Sequence, residues 1–529
     1  MIVPLTPVRF LYRGIDLFGK KVGIVSGAKR FTYAEYGERC ERLAAGLKAH
    51  GIQAGDRVAY LSFNNHQLLE GYYGVVMAGA VVMPLNVRLT PPELIGILNH
   101  AGARVLIFEN DFAPLVDHLR KACRGIERYV TIDDKIPAAD MTYEELLAAG
   151  RPQRVDYTTI DENSLAELFY TSGSTGTPKG VMLSHRTLYL HGLYVSGSFN
   201  HDDDTVELHT IPLFHANGWG RPQTAPMLGV KQVMVRRFEP STVFRLIQEE
   251  KATAMSLVPT MANALLNAPD LGQYDCSSLK EIMIGGAAAS PELIHRMEQA
   301  FPCKVIGGYG LTETAPVATS ARDKSTVVYK DESDRIHHRA MAGWPILGCE
   351  VQVVDAEMNL VPRDMQTIGE VVIRGDNVMD GYYKEPEATK AVMNGAWLHT
   401  GDMGVWDEDN YIHIVDRKKD IIISGGENIS SIEVEKAIFA HPAVFECAVV
   451  AAPDAKWGEI PVAFVVLKPG AKLTQDEMCG FLQERIAKFK MPRAVEFVEG
   501  ALPKTGTGKI VKRELREKFW AGKERRVQG

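Results

Sequence analysis

The run from Tyr170 to Gly180 brings hydroxyls, glycines and one lysine together in a single turn-prone loop. Glycine permits positive φ, so successive backbone N–H groups can converge on phosphate oxygens, and serine and threonine hydroxyls add further donors. The spacing differs from that of a P-loop, because Gly180 rather than Ser or Thr follows Lys179. Short apolar runs on both sides predict a turn between two buried strands. The loop therefore indicates a triphosphate site, with a flexible linker between domains as the alternative.

A second glycine-rich segment, residues 307–314, follows a predicted strand and carries an aromatic ring, a hydroxyl and a carboxylate. A purine can stack on Tyr309, Thr312 can bond a phosphate, and Glu313 can hold a magnesium ion on phosphate oxygens. A glycine-rich turn with Tyr309 in the core and Glu313 in solvent is the alternative. The small residues Gly286 and Ala287 end another predicted strand, where they allow close approach of a base or a substrate chain, or simply close packing.

Three later segments carry single candidate groups. Asp402 is predicted in a turn, suited to ribose hydroxyls, although a helix cap or Asx-turn explains it equally. The charged run 416–420 is typical of a solvated surface. It lies where the mostly β region gives way to mixed helices and strands, which indicates a hinge between lobes. From such a hinge Arg417 could reach a ribose or phosphate. The loop 503–510 is turn-prone and basic, and a mobile lobe could bring its Lys509 to a bound phosphate.

Composition excludes several classes of protein. The chain has 529 residues and a formal charge of -7 with acids and bases interspersed, so it lacks the basic footprint of a nucleic-acid or anionic-membrane binder. Its seven cysteines show no Cys-x-x-Cys spacing, which predicts a reducing compartment and no zinc site. Neither a signal peptide nor an apolar run of membrane-spanning length is evident, so a cytoplasmic location is the default expectation.

The order of predicted elements indicates an α/β multidomain protein. Helices and strands alternate before and after the first loop, which predicts two α/β sheets with crossover-connected parallel strands. From about Met341 short strands separated by Gly, Pro and Asn turns predict a small, mostly β subdomain. Beyond Asp416 mixed helices and strands predict a separate α+β lobe.

Taken in order, these segments closely resemble the adenylate-forming superfamily, which contains acyl-CoA synthetases, firefly-type luciferases and the adenylation domains of peptide synthetases. The resemblance covers nearly the whole chain. It implies a large N-terminal domain, residues 1–415, built from two α/β sheet subdomains and a β subdomain. It also implies a small mobile C-terminal domain, residues 416–529, hinged at Asp416.

The resemblance implies two half-reactions, and in the first a carboxylate attacks the α-phosphorus of ATP and expels pyrophosphate. By similarity Lys509 meets the charge that builds at phosphorus, Thr171 and Glu313 bind Mg²⁺, and Tyr309 and Thr312 contact adenine and the α-phosphate. Asp402 with Arg417 fixes the ribose. The remaining positions implied to bind nucleotide or cofactor are Ser172, Gly173, Ser174, Thr175, Gly176, Thr177, Lys179, Gly286, Ala287, Gly307, Gly308, Gly310, Lys419, Gly425 and Gly426.

In the second half-reaction a thiol attacks the mixed anhydride, so no cysteine nucleophile is required. Family behaviour implies that the C-terminal lobe rotates about Asp416, withdraws Lys509 and presents the Gly425-Gly426 face to pantetheine. The chain ends soon after Lys509, so free coenzyme A is the expected acceptor rather than a fused carrier domain. The expected partners are therefore a small carboxylic acid, ATP and coenzyme A; the sequence leaves open whether the chain forms a homodimer.

The segment Phe214 to Trp219 bears on the choice of acid. Adenylation domains that select α-amino acids resemble Phe-Asp at its start, whereas here His215 replaces the Asp. Fatty acyl-CoA synthetases resemble the His-x-Asn-x-Trp arrangement, with Trp219 at an acyl tunnel and Ala216, Gly286 and Gly307 leaving space beside it. A fatty acid of medium or greater length is therefore predicted, with aryl acids and short-chain or thioether acids as alternatives.

Two further readings of the same scaffold remain open. A luciferase-like oxygenation would use the same adenylate chemistry. A non-catalytic nucleotide- or acyl-binding protein would keep the scaffold without turnover, although retention of Lys509, Glu313, Asp402 and Arg417 argues against it.

Overall fold

The computed structural model describes residues 3–171, 178–425, 427–504 and 510–520. The chain divides into two compact units: residues 1–351 with 373–398, and residues 352–372 with 399–529. Within the described ranges, no helix combines the length and the apolar character needed to cross a bilayer.

The secondary structure alternates as the sequence predicts. The helical segments are α1 Val8–Phe18, α2 Tyr33–Ala49, α3 His66–Met77, α4 Pro91–Ala101, α5 Ala113–Ala122, α6 Tyr143–Ala148, α7 His185–Ser198, α8 Ala216–Trp219, α9 Arg221–Leu228, α10 Pro240–Glu250, α11 Pro259–Leu266, α12 Pro291–Ala300, α13 Glu332–Arg339, α14 Pro386–Val392, α15 Ser431–Phe439, α16 Gln475–Gln483 and α17 Lys512–Trp520.

The strands are β1 Val22–Ser26, β2 Lys29–Thr32, β3 Arg57–Leu61, β4 Val81–Pro84, β5 Ala103–Phe108, β6 Arg128–Thr131, β7 Met141–Thr142, β8 Leu165–Thr171, β9 Lys179–Ser184, β10 Val206–His209, β11 Lys231–Met234, β12 Ala254–Leu257, β13 Glu281–Ile284, β14 Lys304–Gly310, β15 Val317–Ser320, β16 Trp344–Pro345, β17 Cys349–Val354, β18 Gly369–Gly375, β19 Gly381–Tyr382, β20 Met393–Asn394, β21 Trp397–Trp406, β22 Ile412–Arg417, β23 Ile422–Ser424, β24 Glu427–Ile429, β25 Val444–Asp454, β26 Gly458–Leu467 and β27 Ala494–Phe497.

An eight-stranded sheet in the first unit holds the strands that flank the first loop. Its order is β19-β9-β8-β4-β3-β5-β6-β7. The strands from β8 to β7 in this order run parallel to their neighbours, whereas β9 is antiparallel to β8 and β19 is antiparallel to β9. Helix α3 is buried along its whole length, and its one carboxylate, Glu70, is paired with Arg39.

A nine-stranded sheet, also in the first unit, holds the second glycine-rich segment. Its order is β16-β15-β14-β13-β12-β10-β11-β1-β2. The strands from β14 to β1 in this order are parallel, and antiparallel strands close both edges. Its apolar core includes Leu208, Val233, Leu257, Ile282 and Val305. Two crossover-connected sheets were predicted, and this prediction is confirmed.

The second unit contains a sheet of order β24-β23-β26-β25, with β27 paired to β26. The β25–β26 pair is a long antiparallel ladder from Val444↔Leu467 to Asp454↔Gly458. Helix α15 buries Val434 and Ile438 in the core of this unit, together with Val449 and Val465. A further five-stranded sheet has the order β17-β18-β21-β20, with β22 paired to β21. The predicted β-rich and α+β regions are therefore confirmed, and the boundary at Asp416 stays a prediction.

The structure corrects the local setting of several predicted residues. Gly307 to Gly310 do not form a turn: they continue β14, because β15 supplies an antiparallel partner for them. Asp402 lies inside β21, and Asp416 and Arg417 belong to β22. The run from Glu207 to Leu213 predicts one strand, but β10 ends at His209.

Candidate active site

The first loop joins two neighbouring antiparallel strands of one sheet. Thr171 ends β8 and pairs with Lys179 at the start of β9, and Tyr170 pairs with Gly180. A linker between domains would not hold its two ends in register, so that alternative is set aside. The predicted phosphate-contacting residues Ser172, Gly173, Ser174, Thr175, Gly176 and Thr177 lie outside the described residues.

A tyrosine that the sequence analysis did not single out connects this hairpin to Glu313. The Tyr382 hydroxyl donates a hydrogen bond of 2.9 Å to Glu313 Oε1, and the Lys179 Nζ lies 4.9 Å from the Tyr382 ring centroid. Burial, and secondarily the Glu313 carboxylate, raise the pKa of Tyr382, so its hydroxyl stays a donor. Strand β19, which carries Tyr382, pairs with β9 next to Lys179. The structure therefore gathers Lys179, Glu313 and, through strand pairing, Thr171 at one edge, named here the nucleotide edge.

Glycines on β14 allow neighbouring backbone segments, at Pro316 and Met341, to pack closely against this strand. A Cβ on Gly310 would lie 1.9 Å from the Pro316 carbonyl oxygen, and one on Gly307 would lie 2.3 Å from the Met341 carbonyl oxygen. Tyr309 is half-buried between them, and Thr312 begins the 3-10 turn Thr312–Thr314. The small residues here are thus required by backbone packing. The space predicted beside Trp219 at Gly307 stays a prediction.

The segment after His215 is a turn of left-handed helix. Five consecutive residues, Ala216 to Gly220, have φ between 41° and 76°. Non-glycine residues usually visit this region singly, at a cost of roughly 1–2 kcal/mol each. Strain of this kind persists only where surrounding contacts fix it, and it concentrates at binding and active sites. His215 stands exposed at the start of the turn, and Trp219 is buried at its end.

A buried polar network holds this turn, and sequence reasoning missed it. Asn217 Oδ1 accepts from the Gly220 N–H at 2.6 Å, and Asn217 Nδ2 donates to Glu167 Oε2 at 3.2 Å. Gln223 Nε2 donates to Glu167 Oε1 at 2.5 Å. Burial raises the pKa of Glu167 to about 8, and these two amide donors oppose the rise. Glu167 lies on β8, so the network fixes the turn to the strand that leads into the first loop.

Trp219 lies over the end of β13. A Cβ on Gly285 would be 3.0 Å from Trp219 Cη2, and one on Gly286 would be 3.8 Å from its Cζ2. Gly286 has φ of 74° and is exposed with Ala287. We name the surface formed by Trp219, Gly285 and Gly308 the acyl wall. The Gly308 carbonyl oxygen lies 3.1 Å from a Cβ placed on Gly285. Gly308 is on β14, and Glu313 lies in the 3-10 turn that follows this strand, so the wall adjoins the nucleotide edge.

The second unit holds the predicted ribose pair. Asp402 pairs across the strands with Arg417, and Arg417 Nε lies 2.7 Å from Asp402 Oδ1. Asp402 is buried while Arg417 is about half exposed, so the guanidinium remains accessible on one side. The structure therefore brings together two residues that the sequence places fifteen positions apart.

The other predicted residues of the second unit differ in their burial and hydrogen bonding. Asp416 is buried, and its Oδ2 accepts from the Ser431 N–H and hydroxyl at 2.5 and 2.6 Å, at the start of α15. Lys419 is exposed. Gly425 has φ of 61°, and its N–H donates to the Trp457 carbonyl oxygen at 2.7 Å. Gly426 and Lys509 lie outside the described residues.

Comparison with known proteins identifies the family. A family model described as AMP-binding enzyme matches residues 13–383, and one described as AMP-binding enzyme C-terminal domain matches residues 433–509. The chain therefore belongs to the family of AMP-binding, adenylate-forming enzymes. It is an AMP-forming acyl-CoA synthetase, for which ATP and coenzyme A are substrates.

Relatives act on diverse acids. The chain is 39% identical to a long-chain-fatty-acid–CoA ligase of Thermus thermophilus, over 96% of this chain and 95% of the relative. It is 35% identical to a 4-hydroxybutyrate–CoA ligase of Metallosphaera sedula, over 98% and 96%. A crystal structure of an anthranilate CoA ligase with anthranoyl-AMP superposes with a TM-score of 0.84 at 27% identity, covering 98% of both chains.

Proposed function

We propose that this ligase activates a carboxylic acid of medium length, or an aryl acid of similar length, and transfers the acyl group to coenzyme A. The single observation that carries this proposal is the acyl wall beside the nucleotide edge. Trp219 lies against Gly285 and limits the width there. A long-chain fatty acid, within the range predicted from the sequence, would require the indole to move. Aryl acids and shorter acids could bind beside Trp219 without this movement.

Adenylation is assigned to groups at the nucleotide edge. The carboxylate of the acid attacks the α-phosphorus of ATP, the bond to the bridging oxygen breaks, and pyrophosphate leaves. Lys179 carries a fixed positive charge next to the first loop and is proposed to bind the outer phosphates. Tyr309 is proposed to stack on adenine, and Thr312 to contact the α-phosphate. The mixed anhydride then makes AMP the leaving group when the thiol of coenzyme A attacks the acyl carbon.

The nucleotide edge also fits a magnesium ion. The Thr171 hydroxyl and the Glu313 carboxylate are hard oxygen donors, and Mg²⁺ is usually held by one or two carboxylates with phosphate oxygens and waters. Among the described residues no group of three or more His, Cys, Asp and Glu forms a metal cage, so a cation here would depend on the phosphates. Bound Mg²⁺ would neutralise charge on the phosphate oxygens. Tyr382 holds Glu313 in place through its hydroxyl.

The second unit is proposed to supply the ribose contact and a mobile lysine. Asp402 presents a carboxylate fixed by Arg417, and two carboxylate oxygens suit a pair of ribose hydroxyls. Rotation about Asp416 is proposed to exchange Lys509 for the Gly425 face between the two half-reactions.

Substitution of Lys509 tests this division of labour. We expect Lys509→Ala to reduce acyl-adenylate formation by about 100-fold or more, because charge at the α-phosphorus would lose its fixed cation. Thioester formation from supplied acyl-adenylate should remain within a few-fold. Lys504→Ala is the matched control, since Lys504 Nζ lies 2.6 Å from Glu446 Oε1 and is held in an ion pair. Equal loss of both half-reactions in Lys509→Ala would contradict the assignment.

A pyrophosphate-release assay tests the proposed function itself. The panel contains acetic, hexanoic, decanoic, palmitic, benzoic and cinnamic acids, each with ATP, Mg²⁺ and coenzyme A. We expect the largest kcat/KM for hexanoic, decanoic or an aryl acid. A preference for palmitic acid would contradict the length assignment. Release without any acid-dependent increase would favour a nucleotide-binding protein, and light emission with a luciferin would indicate oxygenation.

A further inference from the structure

Unpartnered buried polar atoms are concentrated on one face of the nine-stranded sheet. The described residues contain twelve buried side-chain nitrogen and oxygen atoms without a hydrogen-bond partner. Four of them belong to Glu207, Arg221, Gln232 and Ser256, which we name the interior polar layer. These four residues are between 0% and 6% exposed. Buried polar groups are nearly always hydrogen-bonded, so such a concentration indicates a polar occupant.

Strand register places the interior polar layer on a single surface. Glu207 pairs with Gln232 on one neighbouring strand and with Ala254 on the other. Ser256 lies two residues beyond Ala254 and therefore points to the same face. Arg221, from α9, approaches this face with its Nε 3.6 Å from Glu207 Oε1. Burial raises the pKa of Glu207 and the nearby Arg221 charge opposes that rise, as expected for a buried pair.

The same face continues to the acyl wall past the buried side chain of Met283, whose Cε lies 1.9 Å from a Cβ placed on Gly308. Ser256 pairs with Met283, and Gly285, which underlies Trp219, is two residues beyond Met283 on the same face. His209, on β10, lies between the interior polar layer and the turn that carries Trp219. Its Nε2 is 3.1 Å from Gln232 Oε1, and its Nδ1 would be 3.8 Å from a Cβ on Gly218.

Strand geometry gives the distances from the acyl wall. At about 3.3 Å per residue, Ser256 stands roughly 7 Å and the Glu207–Gln232 pair roughly 13 Å below the level of Gly285. At about 1.2 Å per bond, these depths correspond to roughly six and eleven carbon–carbon bonds. The far end of a medium-length acyl chain would therefore reach the interior polar layer.

The unpartnered atoms include both donors and acceptors. Arg221 Nε and Gln232 Nε2 can only donate, Glu207 Oε2 accepts when ionised, and Ser256 Oγ does both. Two carboxylates, Glu207 and Glu281, and two guanidinium groups, Arg221 and Arg322, interact around the layer. Their charges balance, so neither a second carboxylate nor an ammonium finds an unbalanced counter-charge. A hydroxyl donates one hydrogen bond and accepts two, which suits this mixture.

We propose that the acid activated by this ligase carries an uncharged hydroxyl at its distal end, and that the interior polar layer binds that hydroxyl. This inference rests on the proposed function, because it assigns the far end of the same acyl site. A site that hydrogen-bonds a hydroxyl discriminates strongly against the analogue that lacks it, since its polar groups are then left unpaired.

Matched acid pairs test the inference. The kcat/KM of the full-length enzyme is measured by pyrophosphate release for ω-hydroxyhexanoic against hexanoic acid, and for ω-hydroxydecanoic against decanoic acid. We expect the hydroxy acid of at least one pair to be preferred by about 10-fold or more. Equal or better use of both unsubstituted acids would overturn the inference while leaving the ligase function intact. A preference for adipic acid over ω-hydroxyhexanoic acid would also overturn it.

Variants of the interior polar layer test whether it binds the distal hydroxyl. Ser256→Ala and Gln232→Met should each bring the preference of the sensitive pair to within about 2-fold of unity. Ser278→Ala is the matched control, because its hydroxyl donates to the Ala252 carbonyl oxygen at 2.8 Å, away from the layer. Retention of the full preference in both variants would overturn the assignment. No acid-dependent turnover by the wild type would instead refute the proposed ligase.

Discussion

The nucleotide edge and the turn that carries the acyl wall are built in different ways. At the nucleotide edge, Glu313 is bonded to Tyr382, Lys179 lies beside the same ring, and Ala315 is a single non-glycine residue with positive φ. In the turn from Ala216 to Gly220, five successive residues have positive φ. Glu167, below that turn, is buried and accepts hydrogen bonds from two neutral amides.

This difference follows from what each region must bind. Every acid–CoA ligase meets the same triphosphate, so groups on paired strands with ordinary backbone geometry suffice for it. The acyl wall is proposed to discriminate between acids. A strained turn fixed by a buried hydrogen-bond network restricts the position of Trp219 more than a relaxed loop would. The comparison predicts that substitutions at the nucleotide edge impair chemistry, whereas substitutions under the turn impair stability and the use of the acid.

The largest expected effect is at the nucleotide edge. We expect Glu313→Gln to lower kcat/KM for ATP by about 100- to 1000-fold, because the amide cannot replace a carboxylate on a cation. The free energy of unfolding should change by less than about 1 kcal/mol, since the amide oxygen still accepts from Tyr382. Tyr382→Phe, which removes only the supporting hydroxyl, should lose about 10-fold or less. Equal losses in both variants, measured by steady-state kinetics, would contradict the role assigned to Glu313.

The turn is probed by Asn217→Ala. This change leaves the Gly220 N–H and Glu167 short of partners. It also places alanine, which tolerates the left-handed region less well than asparagine, at φ of about 41°, so a loss of about 2–4 kcal/mol in the free energy of unfolding is expected. Asn217→Gly should cost about 1 kcal/mol less, because glycine adopts this φ freely. Denaturant unfolding measures both. If the two variants proved equally stable, backbone strain would not contribute to the difference between the two regions.

The smallest expected effect is a pH dependence from Glu167. Its pKa rises from a usual 4.5 to about 8 in the folded chain, so the folded state binds a proton that the unfolded state has released above pH 4.5. The contribution of Glu167 to the free energy of unfolding is fully present below its pKa in the unfolded chain. This contribution is lost as the pH rises towards its pKa in the folded chain. Between about pH 6 and 8 the wild type should lose about 2 kcal/mol relative to Glu167→Gln. Parallel pH profiles in denaturant unfolding would refute a protonated Glu167.

Sequence reasoning succeeded where a local pattern specifies the structure. The apolar runs Ala103 to Phe108 and Glu281 to Ile284 predict strands, and β5 and β13 have these bounds, since a buried strand needs consecutive apolar side chains whichever partner it meets. It erred at Gly307 to Gly310 and at Asp402, where glycines resembled turns. In both places a neighbouring strand supplies backbone partners that the local sequence cannot reveal. Asn217 lay within a segment that had been singled out, but its partner Glu167 is fifty residues away.

By itself the sequence determined the alternation of strands and helices and the family, because these depend on local composition and on motifs of fixed spacing. The tertiary structure decided what faces the acid. Glu207, Arg221, Gln232 and Ser256 come from four separate elements and show no pattern along the chain. They meet only because parallel strands fix their register and α9 packs on the same face, and burial there makes their unmet hydrogen bonds costly.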